Sequence, residues 1–529
     1  MTATRFAAVT LTASVALVGS TSTAAAQEVT STSEVSWHGD NGNGDDDDDR
    51  YAVAVQRLFA STVQGRWLLA AQLDGSGFIS ETGAADDPTR YQDTFTAEKV
   101  WLAHTDRDVE VAFGDSYVAF GRGLGLTLRK VDELAIDTTL RGAKLQVRRG
   151  RVDATVTAGF TNMTNVDLAS GQTAEDPLDL VGGAQVMVNT ARGKLGMHAE
   201  TIAFKRPLTF IPDGEPAPAW ADRWVLAGPV LDLRRLTKNV SLYGEGVVQE
   251  RGDGRGFGGY LSGTWLASSR VSVQVEGKAY GDLEVVQPRF DDEATPFAAV
   301  RYTTPPTVER LLEPLEHPQR ETWGGRARTD VRLGDRLLVY GNYGLFRDHV
   351  GYLTEIDPDM PPTIVPGTIH DPYAGLEMTW NDARSRAAVS AGTRLVYADV
   401  TNHRVRSNAH VEYDVVQVLG PRLSAQLHGY HMRRGKAAPP FVLERWDEGT
   451  AGVALAWAGK VTVGGLYDYS TEMVAAGKHL GGTLEWRPSE RMAATLFAGG
   501  TRGGLRCVSG VCRELPPFQG VRVSMIYRY

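Results

Sequence analysis

Apolar and polar residues alternate along most of this chain with a period of two. In residues 270–280, Val271, Val273 and Val275 share one parity and polar residues occupy the other, and residues 323–333 repeat the pattern. Because successive side chains of a strand point to opposite faces, each such segment predicts a strand with one apolar and one polar face. These strands are too many, and too charged on the polar face, for one soluble core. We therefore predict a transmembrane β-barrel with its apolar residues facing lipid.

Short and long links alternate between the predicted strands. Outer-membrane barrels have this asymmetry, with short periplasmic turns and longer external loops. Eleven tight turns and two terminal strands predict an all-β antiparallel barrel of about 24 strands, within a range of 22 to 26, with both termini periplasmic. The tight turns are predicted at residues 60–63, 105–108, 149–151, 191–194, 236–239, 267–270, 333–336, 381–385, 419–422, 458–460 and 487–490. The longer links include residues 115–140, 282–320, 348–372, 434–448 and 502–517.

The N-terminus has the pattern of a secretory signal peptide. Arg5 precedes a mostly apolar stretch that is too short to span a bilayer, and small residues follow up to Ala26. We therefore expect a signal peptide at residues 1–26 and a single barrel domain at residues 27–529, exported to the cell outer membrane.

The C-terminal nine residues read VRVSMIYRY and place apolar or aromatic side chains on one parity. A final amphipathic strand that ends in an aromatic residue resembles the assembly signal of bacterial outer-membrane barrels. We therefore expect contact with outer-membrane lipid and lipopolysaccharide, and recognition of this strand by the barrel-assembly machinery. The residues assigned to the signal are Val523, Met525, Tyr527 and Tyr529.

Composition narrows the candidate chemistry. Lys and Arg total 55 against 64 for Asp and Glu, a formal net charge of −9, which argues against nucleic-acid binding.

The only cysteines, Cys507 and Cys512, lie close together in the last long link, and in an oxidising compartment they predict a disulfide. An aspartate run at residues 45–49 is interpreted as a solvated loop tip, with cation bridging to lipopolysaccharide as the alternative.

The motifs indicate no catalytic, cofactor-binding or metal-binding set. The chain lacks G-x-S-x-G and H-E-x-x-H. His428 and His431 are three residues apart, which on a strand places them on opposite faces and prevents them from sharing one ion. We therefore predict neither an enzyme nor a cofactor.

Residues 114–142, GDSYVAFGRGLGLTLRKVDELAIDTTLRG, are rich in glycine but do not form a nucleotide-binding motif. Walker A is absent, and Leu126 occupies the place of the third glycine of G-x-G-x-x-G. The apolar parity changes near Gly114, as a bulge or chain break would cause, and glycines on one face permit close backbone approach. We expect this segment to leave the wall and fold inward as a plug or constriction, the alternative being an external hairpin. Its charges would then narrow the lumen: Arg122, Arg129, Lys130, Asp132, Glu133, Asp137 and Arg141.

Three stretches together resemble a bacterial outer-membrane β-barrel family that is porin-like and of unknown function. They are residues 114–145, the PPTVER segment at 305–310 and the tail from Gly503 to the C-terminus. The resemblance covers most of the chain after residue 26. It implies the barrel fold and the outer-membrane location, and it supplies no activity, substrate or catalytic residue.

Two functions fit these patterns. The first is a channel or porin-like protein that passes small solutes, with inward charges such as Arg326 setting its selectivity. A barrel of about 24 strands encloses a wide lumen, so this function requires a restriction. Residues 114–142 would supply one, and the apolar residues Val300 and Tyr302 predict that the long link 282–320 also packs at the lumen or the barrel mouth. The alternative is a non-transport scaffold or surface-interaction protein whose external loops bind an unidentified protein or polysaccharide.

Overall fold

The computed structural model describes the chain from Ala26 to Tyr529, with gaps. The described residues are 26–42, 49–80, 92–174, 176–205, 223–252, 254–284, 300–306, 321–352, 363–399, 402–438, 442–472, 477–508 and 511–529. Residues 1–25 of the expected signal peptide and residues 45–48 of the aspartate run lie outside this part of the chain. Among the described residues, no helix is both long enough and apolar enough to cross a membrane.

Antiparallel strands pair in chain order and close on themselves into a barrel. In the described part of the chain, 24 strands form the wall, and the last of them pairs with the first. The all-β class and the strand number predicted from the sequence are therefore confirmed. The wall strands are β1 (Ala26–His38), β2 (Tyr51–Gln64), β3 (Trp67–Ser80), β4 (Thr94–Thr105), β5 (Val109–Ser116), β9 (Ile136–Arg149), β10 (Val152–Met163), β11 (Leu180–Thr190), β12 (Gly193–Ala203), β13 (Arg223–Leu233), β14 (Val240–Glu250), β15 (Arg255–Leu266), β16 (Val271–Gly281), β17 (Trp323–Leu333), β18 (Leu337–Tyr352), β19 (Thr363–Trp380), β20 (Ser385–Ala398), β21 (His403–Val418), β22 (Leu423–Ala438), β23 (Val442–Trp457), β24 (Val461–Ser470), β25 (Gly477–Ser489), β26 (Met492–Thr501) and β29 (Phe518–Arg528). Shorter strands lie in the links: β6 (Val118–Ala119), β7 (Thr127–Leu128), β8 (Lys130–Val131), β27 (Gly504–Val508) and β28 (Val511–Leu515).

The predicted alternation separates an apolar outer face of the wall from a polar inner face. On β16, Val275 is 55 % exposed on the outside, whereas its neighbours on the other parity, Glu276 and Lys278, are buried on the inside. On β29, Val523 and Met525 are exposed on the outer face, as the C-terminal pattern predicts. A closed wall with an apolar exterior is the architecture of outer-membrane barrels, and the protein belongs in the cell outer membrane.

Exposed aromatic side chains mark both ends of the outer face, as the interfacial girdles of membrane barrels do. Near the tight turns these are Trp67, Trp265, Trp457 and Trp486; near the longer links they are Trp37, Phe160, Phe257 and Trp323.

The tight turns lie at one end of the barrel, hereafter the short-turn end, and the other links lie at the long-link end. Most turns fall where the sequence predicts them, but residues 60–63 belong to β2 and the chain reverses at Gly65 and Arg66 instead. Gly65 has a φ of +63°, a conformation in which glycine is unstrained, so the turn forms there rather than at the earlier small residues. The last turn is likewise displaced, because β25 continues to Ser489.

Two links at the long-link end are shorter than the sequence predicts. The wall strands β18, β19, β22 and β23 extend to residues 352, 363, 438 and 442, well inside the links expected at 348–372 and 434–448. These strands continue their cross-strand pairing beyond the polar residues that suggested loops. Both described termini lie at the short-turn end, since the amide of Arg528 donates to the carbonyl of Arg491 and Ala26 pairs with Val63.

The last long link carries the hairpin β27–β28. Its register places Cys507 directly opposite Cys512. The backbone therefore places the two cysteines side by side as cross-strand partners, which is compatible with a disulfide between them. The disulfide itself stays a prediction.

The wall is interrupted where β5 ends. β5 pairs with β4 only up to Gly114 and with β9 only up to Ser116, so β4 extends past its neighbour toward the long-link end. Gly114 has a φ of +93°, and a Cβ there would overlap the carbonyl oxygen of Val100. After Ser116 the chain leaves the wall, and it returns as β9.

Candidate functional site

Residues 117–135 lie against the inner face of the barrel. They leave from β5 and return through β9, two strands that are themselves paired, so the excursion adds nothing to the wall. Its apolar side chains Phe120, Leu124, Leu126 and Leu128 are almost completely buried. They pack against inward side chains of β11 to β16, including Val181, Ile202, Leu226, Tyr243, Val247 and Tyr280. We call residues 117–135 the inner segment; its bounds are narrower than the 114–142 expected from the sequence, because residues on either side remain in the wall.

One carboxylate of the wall holds the glycine-rich turn of the inner segment. Glu245 of β14 is buried and accepts the backbone amides of Arg122, Leu124 and Gly125 at 2.6, 3.0 and 3.2 Å. The hydroxyl of Tyr243 donates to the same carboxylate at 2.6 Å. Successive backbone N–H groups that converge in this way form an anion-binding nest, and here the bound anion is a side chain of the protein.

Glycine is required at two positions of this turn. Gly121 and Gly123 have φ values of +62° and +123°, where L side chains are strained. A Cβ at Gly123 would overlap the carbonyl oxygen of Thr304, and a Cβ at Gly125 would lie 2.9 Å from the ring of His198. The glycines thus permit the close contacts of a docked turn.

A second luminal segment, residues 300–306, pairs with the inner segment. The amide of Thr127 donates to the carbonyl of Tyr302 at 2.8 Å, and the amide of Thr304 donates to the carbonyl of Gly123 at 2.7 Å. The buried Tyr302 hydroxyl donates to the carboxylate of Asp179. Part of the longest link therefore lies inside the barrel, as its apolar residues predict.

Two further links join the inner segment and residues 300–306, and we call these four parts of the chain together the loop assembly. In residues 164–174, Val166 packs with Tyr51 and Val53 of β2, so this link lies over the inner face of the wall. From the hairpin β27–β28, Arg513 donates to Asp167 at 2.7 and 2.9 Å and to the carbonyl of Leu134 at 2.7 Å. Both side chains of this ion pair are buried, so the hairpin is fixed to the inner segment and to residues 164–174 at once.

The charged residues predicted to form a constriction do not lie together. Arg122 stacks on Tyr243, with its guanidinium carbon 3.8 Å from the ring centre. Lys130 and Asp132 form an exposed pair at 2.7 Å, and Glu133 is also exposed. Arg129 is half-buried, and burial lowers its pKa.

Asp137 and Arg141, the remaining two predicted residues, lie in the interruption of the wall beside β5. Asp137 is buried, pairs with Lys99 and accepts the Tyr117 hydroxyl at 2.8 Å. Burial and the Asp137 carboxylate raise the pKa of Tyr117. Arg141 pairs with Asp115 at 3.2 Å.

Beyond the end of β5, side chains form the hydrogen bonds to β4 that a neighbouring strand would otherwise form. Arg141 donates to the backbone carbonyl of Glu98 at 2.8 Å, and Asp115 accepts the backbone amide of Val100 at 2.8 Å. Asn162 also donates to the carbonyl of Glu98, at 2.8 Å. Backbone groups of β4 that a strand would otherwise satisfy are thus bonded to side chains, as burial in a membrane wall requires.

Sequence reasoning missed Glu245, Asp167, Asp179 and Arg513, on which the loop assembly depends. Glu245 follows the inward parity of β14 like any other polar residue of the wall, and its partners lie about 120 residues earlier in the chain. The one sequence signal for this contact is the group of glycines at 121–125, which permit close approach to the backbone. In the described part of the chain, no three His, Cys, Asp or Glu side chains are grouped so that they could hold a metal ion.

Known proteins that are similar to this chain are found among solved structures. No protein-family model matches the chain. No curated protein sequence matches it. Among solved structures, the siderophore receptor PirA from Pseudomonas aeruginosa is similar over 96 % of this chain and 81 % of its own, with 9 % identity and a TM-score of 0.45. The copper transporter OprC is similar over 96 % and 81 %, with 10 % identity and a TM-score of 0.46. The translocation pore of the P pilus usher PapC is similar over 95 % and 99 %, with 8 % identity and a TM-score of 0.39.

Proposed function

We propose that the protein is an outer-membrane transport protein whose lumen is obstructed by its own links. A 24-stranded barrel encloses more space than its inward side chains can fill, so an open barrel of this size would leak. The observation that supports obstruction is the attachment of the inner segment to the wall. There the carboxylate of Glu245 accepts hydrogen bonds from three backbone amides of the segment. Passage would then depend on whether this turn stays docked.

The inner wall away from the inner segment favours polar solutes. Buried or half-buried ion pairs line β16 to β20, among them Arg326 with Glu276 and Arg394 with Asp371. Charges of both signs, fixed by pairing, present donors and acceptors to a hydrated solute without binding one sign of ion strongly. We therefore infer passage of small polar solutes rather than of apolar ones.

The experiment is the conductance of the purified full-length barrel in planar bilayers, with Glu245→Ala compared with wild type. The substitution leaves three backbone amides, two of them buried, without their acceptor, at about 1–3 kcal/mol for each buried one, so the turn should undock and the mean conductance should rise severalfold. Glu250→Ala is the matched control, since Glu250 lies on the same strand with an exposed side chain and should leave conductance unchanged. If correctly folded wild type and Glu245→Ala are equally closed, transport through this route is wrong and the surface-interaction function is favoured.

A further inference from the structure

The outer face of β22 to β25 carries a group of basic and aromatic side chains at the long-link end. Arg433 and His431 of β22, Arg445 of β23 and Lys478 of β25 are all exposed there. Cross-strand register brings them together: Gly435 is opposite Arg445, and Tyr469 is opposite both Gly449 and Lys478. The one acidic side chain that contacts the group among the described residues is Asp447, 4.0 Å from Arg433.

Two tyrosines form a platform beside and below these charges. Tyr467 and Tyr469 stack with ring centres 5.5 Å apart, and the Tyr469 hydroxyl lies 2.5 Å from Nδ1 of His431. Tyr469 reaches His431 across Gly449, where a Cβ would lie 3.1 Å from the tyrosine ring. The platform is therefore shaped by a glycine that leaves room for the ring.

Beside Tyr467 and below it the surface is apolar. Leu480 is opposite Tyr467 and is 70 % exposed, and Val453 and Leu427 are exposed on the same face. Val453 and Leu427 lie at the lowest level, Leu480 and Tyr467 lie at the next, and Lys478 and Tyr469 lie nearest the long-link end, so the surface changes from apolar to aromatic and cationic. A lipid has the same sequence of chemistry from acyl chain to interface to headgroup.

The height of the basic residues matches the headgroup region. Trp457, opposite Leu423, marks the aromatic girdle at the short-turn end. Strands rise about 3.3 Å per residue and tilt by about 40°, so the ten residues from Leu423 to Arg433 climb about 25 Å. That is about the height of the apolar band of such barrels. Arg433 therefore lies at its upper edge, where a cation is not forced into hydrocarbon.

We propose that this surface, Arg433, Arg445, Lys478, His431 and Tyr469, binds the phosphate of a phosphorylated glycolipid of the outer leaflet, of the lipid A type. Arginine and lysine clusters at this depth recognise anionic headgroups, and the exposed leucine below would take an acyl chain. The long-link end faces the outer leaflet in barrels of this asymmetry, so the glycolipid is favoured over phospholipids of the inner leaflet. The proposal does not depend on the transport function.

The test titrates delipidated full-length protein in detergent with bis-phosphorylated lipid A and follows binding by native mass spectrometry. Each basic residue at a charged interface contributes about fivefold in affinity, so Arg433→Gln combined with Arg445→Gln and Lys478→Gln should weaken binding at least tenfold. The control is Arg255→Gln, because Arg255 is exposed on the outer face of β15 but is paired with Glu250 at 3.1 Å. It should bind like wild type.

Two further comparisons vary the lipid and use only the wild-type protein, so they do not depend on how the variant folds. Dephosphorylated lipid A should bind at least tenfold more weakly than the phosphorylated form, and phosphatidylglycerol should also bind more weakly. Equal binding of the phosphorylated and dephosphorylated forms, equal binding of phosphatidylglycerol, or unchanged affinity of a folded triple variant would each overturn the proposal.

Discussion

The glycine-rich turn at residues 121–125 differs from a nucleotide-binding loop because its anion belongs to the protein. In both cases consecutive amides converge on negative oxygen atoms, and glycine permits the left-handed backbone that this geometry needs. Here the oxygens are those of Glu245. The sequence excluded a nucleotide motif by spacing, and the structure provides the anion that the amides bind instead.

Substitution of Gly123 tests whether the inner segment and residues 300–306 depend on each other for their structure. Gly123→Ala places a methyl group against the carbonyl of Thr304 and imposes a strained φ, which alone costs about 1–2 kcal/mol. We expect faster hydrogen exchange at the amides of Thr127 and Thr304, which bond across the two segments. The matched control is Gly341→Ala in β18, where a Cβ meets nothing within 4 Å. Protection that is unchanged at Thr127 and Thr304 in Gly123→Ala would contradict the pairing.

Single strands were predictable because the signal that specifies them is local. The period of two in β16 or β17 is readable within a dozen residues, and the exposure of Val275 and Trp323 follows it. The sequence predicts the first turn at residues 60–63, because residues such as Ala60 and Ser61 also suit a turn. Only cross-strand pairing with β1 and β3 shows that these residues belong to β2 and that the turn lies at Gly65. The partners of the inner segment were not predictable, since Glu245 and Thr304 are brought to it by closure of the barrel.

The final strand tests the apolar outer face. Val523 lies near the middle of β29 on the outer face, and Val523→Arg should cost about 2–4 kcal/mol in lipid and reduce the folded, heat-modifiable fraction on gels. Ser524→Arg, one residue away on the inner face, is the control and should assemble. Equal assembly of both variants would contradict the assignment of faces.

The hairpin β27–β28 tests the cysteine prediction. Because Cys507 and Cys512 are register partners, the protein isolated from an oxidising compartment should show no free thiol and a mass about 2 Da below the reduced form. Maleimide labelling followed by mass spectrometry, before and after reduction, measures this. Labelling of both cysteines before reduction would show that the hairpin carries no disulfide.

The barrel as a whole combines a closed wall with links that fill part of its interior. Residues 117–135, 164–174 and 300–306 and the hairpin β27–β28 come from different links and are held to one another by buried contacts, including Arg513 with Asp167 and Thr127 with Tyr302. Because each contact joins different links, the assembly should undock cooperatively once one member is removed. The wall does not depend on it, since every wall strand keeps its own partners.

Deletion of residues 117–135 therefore tests the central claim most directly. Ser116 and Leu140 are cross-strand partners, so the deletion leaves residues 136–139 as a short hairpin loop and preserves the wall. In liposome-swelling assays with a small sugar, the intact protein should admit little solute, whereas the deletion variant, heat-modifiable like wild type, should admit it several times faster. A folded deletion variant that swells no faster than the intact protein would contradict obstruction of the lumen by the inner segment.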